Sequence, residues 1–352
     1  MHRTTTAFLF ITVVSGTIIV LSSEKWFLVW VGLELRTLAL VPILCSKFSP
    51  RKIEATIKYF LIQALRAALL LKGALIQAWL IGSWSTLNPM KKVSVICLRI
   101  ALAFKLGLAP CHFWFPDVLQ GLPFFQGLII ATWQKIAPLL ILFFFGQLIS
   151  SYLLVVASLI SILVGGWGGL NQTQVRKILA YSSIGNMGWL IITSLYSINA
   201  AILMLVVYLI INTAIFLLFD FLKISTLGHL KTTSQLSPVR VALVILMMLS
   251  LGGLPPLTGF ILKFTSLYFL VNKGFIFLSS AMIAGRLLRL FFYLRVSFNT
   301  GLILFPQHII RITSWRKRAT TSPLTPKVWL LSILAILSTL SIPLTLPLYI
   351  SS

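Results

Sequence analysis

Arg99-Ile-Ala-Leu-Ala-Phe-Lys105-Leu-Gly-Leu-Ala-Pro110 places an ammonium group inside the apolar run 93–109, and Ile129-Ile-Ala-Thr-Trp-Gln-Lys135-Ile-Ala-Pro138 repeats the arrangement. A cation in hydrocarbon is costly and is retained where it serves a function. Each lysine stands a few residues before a helix-breaking proline. Both ammonium groups are therefore expected beside irregular backbone in mid-membrane, the setting from which ion and proton paths are built.

The rest of the chain supplies that membrane setting. Of its 352 residues 59% are hydrophobic and only 10% charged, which excludes a soluble globular fold. Runs such as 7–21, 57–80 and 151–164 carry no polar face, so the surface must meet lipid or other membrane subunits. The 29 basic residues outweigh five acidic ones, for a formal charge of +24. In a soluble protein that balance points to nucleic acid. Here the charges are scattered over short loops, without a phosphate-binding glycine loop or an aromatic-basic motif, and nucleic acid is not expected as a partner.

Cys45, Cys97 and Cys111 lack the spacing of a metal site and read as packing thiols. His2, His112, His229 and His308 are equally scattered. The apolar N-terminal run reads as a first transmembrane helix rather than a signal peptide, because many similar runs follow it.

At roughly 20 apolar residues per crossing, helices are predicted near 7–23, 25–46, 56–82, 93–112, 123–147, 150–170, 175–197, 199–223, 237–272, 274–297 and 327–348. The fold class is thus an all-α polytopic membrane protein with about eleven crossings. The span 237–272 is too long for one regular helix and contains Leu251-Gly-Gly-Leu-Pro-Pro-Leu-Thr-Gly259, so it is expected as two half-helices around an unwound centre. Residues 1–352 form one transmembrane domain in this reading. Its first half-bundle covers about 25–147, its second about 150–297, and a loop and helix follow over 298–352.

Lys and Arg accumulate on the side retained at insertion. Arg3, Lys47, Arg51, Lys52, Arg176, Lys177, Lys231, Arg240 and the tract 311–327 mark one side, and Lys25, Lys91, Lys92 and Lys273 the other. The N-terminus is expected on the basic, matrix or cytoplasmic, face and the C-terminus opposite. Trp315-Arg316-Lys317-Arg318 suits anionic lipid headgroups, cardiolipin among them, or an acidic partner.

Glu34, in Trp30-Val-Gly-Leu-Glu34-Leu, lies near the middle of the second span and needs a cation, for which Lys105 is the first choice. Such a pair in low dielectric acts as a proton switch, since protonating one member changes the affinity of the other. A static ion pair that fixes helix packing is the alternative. Lys135 is followed by Pro138, which frees carbonyls just beyond it; a plain kink with an incidental lysine is the competing reading. Lys263 follows the 251–259 break and repeats the device in the second half.

The segment His112-Phe-Trp-Phe-Pro-Asp117-Val118 reads as an interfacial amphipathic turn with aromatic anchors, Asp117 capping the surface. Glu54 with Lys58, and Asp220 with Lys223, read as ordinary helix-surface pairs.

Several blocks resemble a known family: Trp30 to Leu35, Pro50 to Phe60, Leu102 to Gly121, Thr132 to Pro138, Gly166 to Ile184 and the Gly-Gly-Leu-Pro-Pro-Leu-Thr-Gly-Phe segment ending at Phe260. They are similar, in order and over nearly the whole chain, to NADH dehydrogenase subunit 2 of animal mitochondrial complex I. The resemblance implies an antiporter-like fold of two inverted helix bundles, each with a broken helix, crossed by a line of charged residues. The animal form lacks the first three helices of the class, in keeping with about eleven crossings. By motif, Glu34 matches the family's glutamate, Lys105 its partner lysine, Lys135 the lysine of the first broken helix and Lys263 that of the second.

The implied activity is proton translocation in the mitochondrial inner membrane, driven by NADH-to-ubiquinone electron transfer. NADH, FMN, iron-sulfur clusters and ubiquinone would be bound elsewhere in the complex, with no cofactor on this chain. Its implied partners are other membrane-arm subunits, the lipid bilayer and protons. A subunit of a stand-alone cation/proton antiporter and a structural spacer without its own proton path are the other readings.

The chain departs from the family in two respects. Gly185-Asn186 follows Ser-Ser-Ile where relatives of the class often carry histidine, so a histidine relay there loses its residue. Arg36, Arg66, Arg99, Arg286, Arg289 and Lys72 fall in apolar spans where the family more often has small or uncharged polar residues. Each would cost roughly 2.5–3.5 kcal/mol on insertion scales. Some animal mitochondrial genetic codes read AGA and AGG as serine and AAA as asparagine. Under such a code positions 36, 66 and 289 are serine and 72 is asparagine, which would make ordinary helix contacts.

Overall fold

The computed structural model describes residues 3–46, 48–86, 92–145, 152–228, 238–255 and 257–301. The C-terminal span expected at 327–348 and the basic tract 311–327 lie outside them. Among the described residues every regular element is a helix, and eight helical spans are long and apolar enough to cross a membrane.

The chain divides into two compact units. One comprises Met1–Val164 with Ser183–Ile198, the other Gly165–Ser182 with Asn199–Ser352.

In the first unit, α1 (Arg3–Ser22) packs along α2 (Trp26–Leu44), and α2 packs on α3 (Pro50–Ile81). Next come α4 (Lys92–Leu106), which also lies against α3, and the short helices α5 (Trp114–Gly121) and α6 (Phe124–Ala131). They are followed by α7 (Trp133–Phe145) and by α8 (Tyr152–Leu170), whose last residues, from Gly165, belong to the second unit.

The 32 residues of α3 make a rod of about 48 Å at 1.5 Å per residue, longer than the ~30 Å hydrocarbon layer. Its N-terminal turns can therefore reach beyond the apolar zone. There Lys58 binds Glu54 at 2.6 Å, as expected, and also Asp117 of α5 at 3.7 Å.

Helix α9 (Val175–Tyr196) begins in the second unit and ends in the first. The second unit continues with α10 (Ile198–Leu222), α11 (Pro238–Gly252), α12 (Thr258–Asn272) and α13 (Ile276–Gly301). The expected interruption of the ninth span is present, separating α11 from α12.

Gly259 makes this close crossing possible. A Cβ at that position would stand 1.9 Å from the Ser250 carbonyl oxygen, a contact with backbone that no rotamer relieves. Gly259→Ala is therefore expected to destabilise the chain by about 1–3 kcal/mol or more. The check is a lowered melting temperature of the membrane-inserted protein, and an unchanged one would refute the tight crossing.

Three local expectations are corrected. In the segment after Cys111 the aromatic rings are not all outward anchors: Phe113 and Asp117 face outward, while Trp114 and Phe115 are buried, at 6% and 1% exposure. These rings fill the space between α3 and α4, where burying large aromatic area outweighs an interfacial position.

Asp220 and Lys223 form no ion pair among the described residues. Lys223 takes a left-handed conformation (φ 53°) where α10 ends, which turns its side chain away from the helix face. The irregular residue near Lys135 lies upstream of the lysine, at Thr132, and not at Pro138, which sits inside α7. The ring of Pro138 crowds the turn containing Gln134 and Lys135, and the helix yields just before that turn.

Candidate functional site: buried lysines at helix breaks

Helix α4 ends because Gly107 adopts φ 71°, a conformation that side chains avoid. This leaves Lys105 in the last turn, 3% exposed, its Nζ without a hydrogen-bond partner among the described residues. Glu34 from α2 and Arg66 from α3 exert electrostatic influence on it, as does Arg36. Tyr59, fully buried on α3, is coupled electrostatically to Glu34, Arg36 and Arg66.

The structure thus brings Glu34 and Lys105 into one polar cluster, but no ion pair joins them among the described residues. One carboxylate oxygen of Glu34 is buried without a hydrogen bond. A carboxylate and an amine that interact without direct contact can exchange a proton only through an intermediary, and the Tyr59 hydroxyl, coupled to Glu34, is a polar group of the same cluster.

Tyr59 belongs to this buried cluster, and the sequence reading did not single it out. The signal was present: Tyr59, Gln63 and Arg66 recur at helical spacing, and all three are buried.

Lys135 occupies the first turn of α7, at 2% exposure. The break before it is held by Thr132, whose backbone N–H and hydroxyl both donate to the Leu128 carbonyl at 2.9 and 2.7 Å. The Lys135 N–H donates to the Thr132 carbonyl at 3.1 Å. From α2, Arg36 donates to the Trp133 carbonyl at 2.7 Å. The Lys135 ammonium has no hydrogen-bond partner among the described residues and lies over the Phe115 ring, 4.3 Å from its centroid.

In the second unit Lys263 stands on α12, 5% exposed, and donates from Nζ back across the break to the Leu251 carbonyl. Arg286 of α13 donates to the Gly253 carbonyl. The unwound segment thereby offers carbonyl acceptors to two cations. Ser266, whose hydroxyl donates to the Lys263 carbonyl at 2.7 Å, is buried in the same turn region.

Each unit therefore contains a buried lysine beside an interrupted helix, and the first contains a second lysine with a carboxylate. Among the described residues no group of His, Cys, Asp and Glu converges as a metal site. The chemistry on offer is proton binding and release.

Residues 23–289 match the transmembrane family of NADH:quinone oxidoreductases and Mrp antiporters, and residues 290–349 match the NADH dehydrogenase subunit 2 C-terminus. The chain is 74% identical to NADH-ubiquinone oxidoreductase chain 2 of Strongylocentrotus purpuratus, over 99% of both chains. It is 47% identical to that of Patiria pectinifera, over 100% of this chain and 99% of the relative. A chain of respiratory complex I from Thermus thermophilus shares the fold at TM-score 0.82 and 27% identity, over 99% of this chain and 80% of its own. A chain of the Mrp complex of Dietzia sp. shares the fold alone, at TM-score 0.77 and 16% identity, over 97% of this chain and 76% of its own. The chain belongs to the NADH-ubiquinone oxidoreductase chain 2 family.

Proposed function

We propose that this chain is a core membrane-arm subunit of the proton-translocating NADH:ubiquinone reductase of the mitochondrial inner membrane, and that Glu34, Lys105, Lys135 and Lys263 load and pass its protons. The observation that carries the reading is the recurrence, once in each unit, of a buried lysine beside a helix break. An ammonium enclosed by protein is tolerated where a route for its proton exists, and unwound backbone supplies polar groups along such a route.

NADH, flavin, iron-sulfur clusters and ubiquinone belong to other parts of the complex in this reading. This chain couples to them mechanically and electrostatically through neighbouring membrane-arm subunits. Its N-terminus faces the matrix and its C-terminus the intermembrane space. Membership of the chain 2 family, with 74% identity to the Strongylocentrotus purpuratus chain, favours this assembly over a stand-alone antiporter.

The test is purification of the native chain from inner membranes. It is expected to cofractionate with NADH:quinone activity. In the assembled complex, Lys105→Met is expected to lower the protons moved per NADH oxidised by about tenfold, within the range of positioned acid-base groups. A Lys105→Met complex that pumps at the wild-type ratio would exclude Lys105 from the route.

A further inference from the structure

The three intramembrane lysines are held in different ways. Lys263 donates to a carbonyl oxygen, an acceptor that serves an amine in either charge state. Lys135 has no such acceptor among the described residues; the resident group against its Nζ is the face of Phe115, 4.3 Å away at the ring centroid. Both side chains are almost fully enclosed, at 2% and 1% exposure, so water does not screen the contact. A ring face attracts a cation through its quadrupole, and the attraction is strongest when both are desolvated. It exerts no comparable pull on an uncharged amine.

From this geometry we infer that Phe115 is a positioning residue for proton translocation: its ring seats the loaded Lys135 ammonium and lets the side chain go once the proton has left. The inference rests on the reading of Lys135 as a proton-carrying group and adds a charge-dependent seat to it. A hydrogen-bonding partner would hold the amine through both halves of a cycle. An aromatic face ties the position of Nζ to its charge, so delivery of the proton and movement of the carrier become one event. The seat is stiff, because Phe115 is anchored by an edge contact with Trp114, their ring centroids 5.5 Å apart, in the short helix α5.

The experiment compares assembled complexes carrying Phe115→Leu, Phe115→Met, Phe115→Tyr, Lys135→Met and the Phe115→Leu/Lys135→Met double variant. All are reconstituted in liposomes, with protons moved per NADH oxidised as the readout and native gels as the check on assembly. The expected pattern is an approximately three- to tenfold loss for Phe115→Leu, near-wild-type pumping for Phe115→Tyr, which keeps the ring, and no further loss when Phe115→Leu is added to Lys135→Met.

If Phe115→Leu does not assemble, Phe115→Met takes its place as the variant without a ring. Wild-type pumping without the ring, loss of pumping in an assembled Phe115→Tyr complex, or an undiminished additional loss on the Lys135→Met background would each overturn the seat. An unaffected Lys135→Met complex would instead remove the function on which the seat depends, and is distinguishable because it needs no change at Phe115.

Discussion

Lys135→Met and Lys263→Met are each expected to lower NADH-driven proton translocation by about tenfold or more while leaving the complex assembled. Methionine keeps the length and apolar stem of lysine and removes only the ionisable end, so packing around 2% and 5% exposed side chains is little disturbed. Removing a buried charge also relieves a desolvation cost, and thermal stability should stay level or rise. The measurement is proton uptake into sealed vesicles, together with the rate of NADH oxidation. A subunit that merely spaces its neighbours would pump normally with both lysines gone. Loss at one position and not the other would confine the proton route to one unit.

Peptide mass spectrometry of the native protein is expected to read serine at 36, 66 and 289 and asparagine at 72, and trypsin is expected not to cleave after 66. The structure gives the physical reason. Arg66 is 1% exposed with all three guanidinium nitrogens lacking a hydrogen bond among the described residues, and Arg36 is fully enclosed with two of its three in that condition. Arg289 is buried at 2% exposure.

An enclosed cation short of partners, as Arg36 and Arg66 are, costs several kcal/mol even after relaxation, and both act on Lys105 of the proposed proton route, while Arg289 sets a like charge beside Lys263. Serine fits every one of these helix positions, because its hydroxyl bonds the carbonyl one turn back, as many serines of this chain already do. Identities of 74% and 47% to chains from Strongylocentrotus purpuratus and Patiria pectinifera place the sequence among animal chains. Arginine found at 66 and 289 would end the explanation.

Hydropathy made most of the helices legible, since continuous apolar runs have one solution in lipid. The interruption at 253–257 was legible for the same reason: a 36-residue run with three prolines, two of them adjacent at its centre, and three glycines cannot remain one rod. The interruption at Thr132 was misplaced, because proline marks where a helix is strained and not where the strain is released. The placement of Lys105 and Lys135 within protein followed from the cost of exposing an ammonium to lipid. Tyr59 and Phe115 were harder to see. Their roles depend on which helix face meets which neighbour, and α3 and α5 are brought against the lysines by packing that spacing alone does not encode.

The crossing at Gly259 has a mechanical corollary. With the Ser250 carbonyl filling the volume that a methyl group would need, the two half-helices are wedged against each other and cannot slide. In the proposed route, Lys263 would then pass its proton by the swing of its four-carbon arm about a fixed pivot. A clamp introduced between α11 and α12 should leave turnover untouched.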